Sequence, residues 1–134
     1  AMAQGQVVPT DKLILKQEKL LNALIKVESN GNDKAIGDNG KAIGCLQIWR
    51  VYWADAVERS YPRIGGNYVD CMRRSYSKEV VRAYMTRYAK KAWTSPVQFD
   101  AEKCARIHNG GPKGYRKKAT AKYWRKVRKV YNSK

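Results

Sequence analysis

The chain has 134 residues, enough for one compact domain with its own core and too few for two. Its 28 Lys and Arg against 11 Asp and Glu give a net charge of +17, which predicts attraction to polyanions such as bacterial wall polymers, outer-membrane lipopolysaccharide or nucleic acid without choosing among them. No apolar run approaches the roughly 18 residues of a membrane span, and the three cysteines, Cys45, Cys71 and Cys104, allow one intrachain disulfide at most.

Residues 1–10 lack apolar periodicity and read as a loose arm or an artificial N-terminal extension, with residues 11–134 as a single domain. Nothing at the start has the pattern of an export signal, so the route to any extracellular target stays open. The first helix opens at Pro9, Thr10 or Asp11 and ends near Ser29, at the Asn30-Gly31 break. Leu13, Leu20, Leu21, Leu24 and Ile25 recur at helical spacing, and Leu20, Leu24 and Glu28 share one i, i+4 stripe. Glu28 therefore points where a leucine is expected. Apolar neighbours and the negative end of the helix dipole both disfavour a charged carboxylate there, as a general acid requires.

Asn39-Gly40, between Lys34-Ala35-Ile36 and Lys41-Ala42-Ile43, signals a two-residue hairpin turn, with Asp38 at its mouth. A solvated Asp38 that stays ionised beside a protonated Glu28 is the pairing that glycoside hydrolysis uses. The same residues also fit a blander account, in which Glu28 is the frayed end of an exposed helix and Asp38 a turn former. Asp33 competes for the second role.

The next helix is expected over Leu46–Glu58, with Leu46, Trp49, Trp53, Ala56 and Val57 inward and Gln47 at its start. Pro62–Asn67 is a loop that could border a groove. A helix follows from Ser77 to about Lys91, with Val80, Val81, Tyr84, Met85 and Tyr88 as core. Ser95 as N-cap, Pro96 and Gln98 mark another helix start, and that helix ends at His108-Asn109-Gly110-Gly111-Pro112. The segment Lys113–Lys134 is helical, with Tyr123, Trp124, Val127, Val130 and Tyr131 inward and a basic outer face. Aromatic residues among Lys and Arg here keep a basic nucleic-acid-binding module as an alternative, although no recognition signature accompanies them.

Glu28-Ser29, Gly31-Asn32, Gly40, Gly44 and Leu46-Gln47 resemble a signature shared by soluble lytic transglycosylases and several lysozyme types. Tyr52-Trp53-Ala54-Asp55, Val81-Arg82-Ala83-Tyr84-Met85, Ala105-Arg106-Ile107-His108-Asn109-Gly110-Gly111-Pro112 and then Tyr123-Trp124, Val127 and Tyr131 resemble invertebrate-type, destabilase-like lysozymes. These blocks run in the family's order from Leu20 onward. The resemblance implies a mainly α (α+β) lysozyme-like fold with a short β-hairpin beside the cleft. It implies bacteriolytic hydrolysis of peptidoglycan at the β-1,4 bond after N-acetylmuramic acid, in an antimicrobial or endolysin setting. It makes Glu28 the general acid/base and Asp38 a nucleophile or electrostatic stabiliser, with retention of configuration. Gln47, Tyr52, His108, Asn109 and Gly110 would meet the glycan strand, with no metal or cofactor, in a monomer whose basic surface meets anionic wall polymers. No specific nucleic-acid partner is implied. The transglycosylase alternative uses Glu28 alone and ends in 1,6-anhydro sugars. Destabilases are also credited with isopeptidase activity through a serine and a histidine; no serine here stands in a motif that marks a nucleophile, and His108 is the only histidine. The family is typically disulfide-dense, whereas Cys45 and Cys104 sit among apolar residues and read as small buried hydrophobes, which suits a bacterial or phage protein made in a reducing cytoplasm.

Overall fold

The computed structural model describes residues 9–133; residues 1–8 of the expected loose arm lie outside them, and its last two, Pro9 and Thr10, belong instead to the first helix. Helix α1 spans Pro9–Ser29, followed by three short strands, β1 Ile36–Gly37, β2 Ala42–Ile43 and β3 Ile48–Trp49, then α2 Arg50–Glu58, α3 Arg74–Tyr88, α4 Lys90–Thr94, α5 Ala101–Gly110 and α6 Lys118–Tyr131. Single 3-10 turns occupy Asp38–Gly40, Tyr68–Met72 and Gly114–Arg116. The architecture is mainly helical with one small antiparallel sheet in the order β1-β2-β3, as expected apart from the third strand. Ile36 faces Ile43 and Gly37 faces Ala42, while Ala42 faces Trp49 and Ile43 faces Ile48.

Helix α1 forms where the apolar stripe predicted it, with Leu20, Leu21, Leu24 and Ile25 all buried. Burial of side chains of this size contributes roughly 1.5–3 kcal/mol each, and α6 closes over α1 and α5 to complete it, with Val127 fully buried. Val80, Val81, Tyr84 and Met85 of α3 supply the opposing face. Among the described residues no helix is long and apolar enough to cross a membrane.

Three boundaries differ from expectation. The second helix starts at Arg50, not Leu46, because Gly44 and Gln47 hold left-handed backbone at φ +82° and +52°, which no α-helix can contain. Leu46 is still fully buried, delivered by a turn, and Ile48-Trp49 pair as β3. The helix expected over 77–91 begins earlier, at Arg74, and breaks at Ala89 into α3 and α4. Ser95 does accept from the Gln98 amide at 3.0 Å, but this closes only a turn, and the helix proper starts at Ala101 with Asp100 accepting from the Lys103 amide at 3.0 Å. The loop around Pro62 encloses a separate hollow with Arg59, Glu79 and Arg82 and contributes nothing to the main cleft. Cys45, Cys71 and Cys104 are buried free thiols.

Candidate active site

A cleft of about 500 Å³ opens where the last turn of α1, the small sheet, α2, α3 and the end of α5 meet. Leu20 and Leu24 carry the α1 stripe through the core, and one turn later the same stripe reaches the cleft as Glu28, whose side chain is 17% exposed. Its Oε2 accepts from the Tyr123 hydroxyl at 3.0 Å and lies 3.1 Å from His108 Nε2. His108 Nε2 is also 3.1 Å from the Leu46 carbonyl, and its Nδ1 is 2.9 Å from the Tyr52 hydroxyl. A carbonyl can only accept, so Nε2 carries a hydrogen, and in the tautomer that carries it there Nδ1 accepts from the Tyr52 hydroxyl. Burial, reinforced by Tyr84 and Glu28, pushes the Tyr52 phenol well above the ordinary tyrosine range; burial and then Glu28 do the same to Tyr123. Both hydroxyls keep their hydrogens.

Asp38 stands on the connection between β1 and β2. The expected two-residue turn is in fact four residues, Asp38–Lys41, with Asp38, Asn39 and Gly40 successively left-handed at φ +50°, +58° and +89°. Asp and Asn tolerate that region better than other side-chain-bearing residues, at a cost of order 1 kcal/mol each, and such strain gathers at functional sites. Trp49 of β3 donates its indole N–H to Asp38 Oδ2 at 2.9 Å, and the Lys41 ammonium lies over the same indole. The third strand therefore aims the carboxylate. Asp33, the competitor, is tied to Arg74 Nε at 2.7 Å and does not line the cleft.

The other residues predicted to meet substrate divide by position. Gln47, Tyr52, His108 and Asn109 line the cleft, whereas Gly110 packs against Thr120 and its neighbour Gly111 lines it instead. Gln47 donates from its amide nitrogen to the carbonyls of Ala35 and Gly44, at 3.3 and 3.0 Å, and its oxygen presses on Gly37, so it braces the sheet that carries Asp38. Tyr52 stacks on Tyr84 with ring centroids 3.7 Å apart. Asn109 is exposed. Sequence reasoning passed over Trp49, Asp55, Tyr84 and Tyr123. Trp49, Tyr84 and Tyr123 sit on stripes that read as core, and Asp55, which binds Arg87 and Tyr88, had only its place in a family-like block to single it out. None of the 11 residues lining the cleft is Lys or Arg, in a chain with 28 of them. Three carboxylates, Glu28, Asp38 and Asp55, line it. The described residues contain no cluster of side chains suited to a metal ion.

The Destabilase family profile matches residues 17–130. The chain belongs to the destabilase family. Among destabilase-like relatives, the lysozyme of Meretrix lusoria is 33% identical over 116 residues, which cover 84% of this chain and 88% of that protein. Lysozyme 1 of Crassostrea virginica is 39% identical over 90 residues, covering 66% of this chain; the matched stretch spans only 45% of that longer protein. The crystal structure of Tapes japonica lysozyme superposes with a TM-score of 0.68 at 30% identity, covering 87% of this chain and 92% of that one. The destabilase signature thus extends across the helices and the sheet that build the cleft.

Proposed function

We propose that this chain is a lysozyme, a glycoside hydrolase that cuts the β-1,4 bond of peptidoglycan in the bacterial cell wall, with Glu28 as general acid/base and Asp38 as nucleophile. The observation that carries the reading is two carboxylates lining one cleft in unlike surroundings: Glu28 beside the partly buried phenols of Tyr52 and Tyr123 and a buried imidazole, Asp38 exposed on a strained loop and held by one indole. Glu28 protonates the departing glycosidic oxygen while Asp38 attacks the anomeric carbon from the other side, so the C–O bond to the leaving sugar breaks as a C–O bond to Asp38 forms. Water then replaces Asp38 and returns its proton to Glu28, restoring both groups. A transglycosylase needs no second carboxylate; the place of Asp38 in this cleft favours hydrolysis with retention, for which lysozyme itself is the type case.

Asn109 faces the cleft as an exposed side chain open to the sugar, while Gln47 and Tyr52 form walls whose amide nitrogen and hydroxyl are already engaged by the protein. No acidic residue follows Glu102, and Lys113, Arg116, Lys118, Lys122, Lys126 and Lys129 are exposed with no carboxylate partner among the described residues. This face meets anionic wall polymers, and the monomer acts at the wall surface. Lysis of purified walls, abolished in Glu28→Gln with an unchanged helical spectrum, is the expected result. Tight nucleic-acid binding without wall cleavage would replace the reading with a nucleic-acid module.

A further inference from the structure

The two oxygens of Glu28 are not equivalent. Oε2 receives both of the bonds described above, from Tyr123 on α6 and His108 on α5. Oε1 has no protein partner, yet no buried side-chain oxygen among the described residues lacks one, so Oε1 is the oxygen open to the cleft. We infer that Tyr123 and His108 are positioning residues that confine the transferable proton of Glu28 to Oε1, where it faces the glycosidic oxygen. The inference rests on the proposed role of Glu28 as the general acid.

A hydrogen on Oε2 would point at two groups that already present hydrogens. Neither can turn round cheaply. His108 is 7% exposed, and its Nε2 hydrogen is fixed by the Leu46 carbonyl, which has nothing to donate. Moving that hydrogen to Nδ1 would make the Tyr52 hydroxyl an acceptor and strip its own hydrogen of a partner, inside a site where Tyr52 is clamped against Tyr84. Tyr123 has Glu28 as its hydrogen-bond partner, so a reversed hydroxyl would leave its hydrogen buried and unpaired. The groups facing Glu28 are Tyr52 from α2, His108 from α5, Tyr123 from α6 and, on the same cleft, Asp38. No Lys or Arg lines that cleft to substitute for them.

With both donors aimed at Oε2 before and after proton transfer, the carboxyl releases and regains its proton without reorganising its surroundings. Removing a donor weakens the carboxylate more than the acid, because a hydrogen bond to the charged form is the stronger one.

The test is titration of the Glu28 side-chain carboxyl by carbon-13 NMR in the full chain, paired with the pH dependence of wall hydrolysis. Tyr123→Phe keeps the ring and removes only the hydroxyl. It is expected to raise the Glu28 titration midpoint by about one pH unit, a tenfold change in ionisation, and to move the alkaline limb of the rate profile upward equally, with KM within about twofold of the parent. His108→Leu should act in the same direction, and His108→Gln, whose amide nitrogen reaches near Nε2, should restore most of the parent midpoint. An unmoved midpoint in Tyr123→Phe, or equal behaviour of His108→Gln and His108→Leu, would overturn the inference, as would a tenfold rise in KM with kcat intact, which marks substrate contacts. If the midpoints behave as stated but the parent protein leaves walls uncut, the clamp stands and the lysozyme reading falls.

Discussion

Gly44 and Gly40 adopt nearly the same left-handed backbone, at φ +82° and +89°, but in opposite surroundings, so replacing each by alanine separates backbone strain from crowding. At Gly40 a Cβ meets nothing within 4 Å, and Gly40→Ala costs only the left-handed penalty, about 1–2 kcal/mol. At Gly44 the added Cβ falls 2.0 Å from the Cys71 carbonyl oxygen and 3.2 Å from Ser77 Oγ. That carbonyl accepts the buried Ser77 hydroxyl at 2.6 Å, so the collision pries the Gly44 turn from the Cys71 loop and leaves that bond broken or stretched. An unsatisfied buried group adds about 1–3 kcal/mol to that same left-handed penalty, for a total of about 2–5 kcal/mol. For a chain of this length each kcal/mol lowers Tm by roughly 3–5 °C, so calorimetry should show Gly44→Ala melting about 6–25 °C below the parent and Gly40→Ala about 3–10 °C below, with the loss at Gly44 the larger by about twofold. Gly44→Ala should also lose wall lysis, because its turn delivers the Leu46 carbonyl to His108 and receives the Gln47 amide. Equal losses of Tm in the two variants would refute the packing argument.

Trp49→Phe removes the donor to Asp38 Oδ2; kcat on wall fragments should fall about tenfold with KM changed less than about threefold, and unchanged kcat would show that β3 does not aim Asp38. Burial raises Cys71 and Cys104 from 9.0 to about 12, raises Cys45, and holds Tyr52 and Tyr123 well above 10.0. Each of these groups stays protonated in the folded chain where the unfolded chain ionises, so their contribution to stability is complete below about pH 9 and is lost as pH rises through about 9 to 12. Denaturant midpoints measured across that range should fall, and a flat or rising trend would contradict the burial. Binding to intact cells should weaken steeply as salt brings the Debye length to about 8 Å, since the exposed lysines of α6 have no carboxylate partners among the described residues; salt-independent binding would remove the electrostatic contact.

The core of the site was legible because a helix broadcasts its inward face over many residues. The Leu20, Leu24, Glu28 stripe required only spacing, and the Asn30-Gly31 break placed the end of α1 at Ser29. The hairpin was legible as a turn but not as a sheet: strands of two residues carry no usable alternation, and Gln47, a non-glycine residue in left-handed backbone, hid both β3 and the true start of α2. Asp38 was visible at the turn, yet the four-residue connection that aims it depends on three consecutive left-handed residues. Tyr123 was placed inward correctly by its spacing from Val127 and Tyr131, but its hydroxyl bonds a residue 95 positions away, and no periodicity reports a contact of that range. For His108 the motif marked the residue and not the task, because only the tertiary structure shows both ring nitrogens engaged by the protein.

The central claim is that Glu28 and Asp38 act together as a retaining hydrolase. Mass spectrometry of peptidoglycan fragments tests it most directly, in digests by the parent protein and by Asp38→Asn. Reducing-end products that have gained one water, with activity lost in Asp38→Asn while its fold is kept, are the predicted result. Products lighter by one water, with 1,6-anhydro ends and full activity in Asp38→Asn, would contradict it and leave Glu28 as the sole catalytic carboxyl.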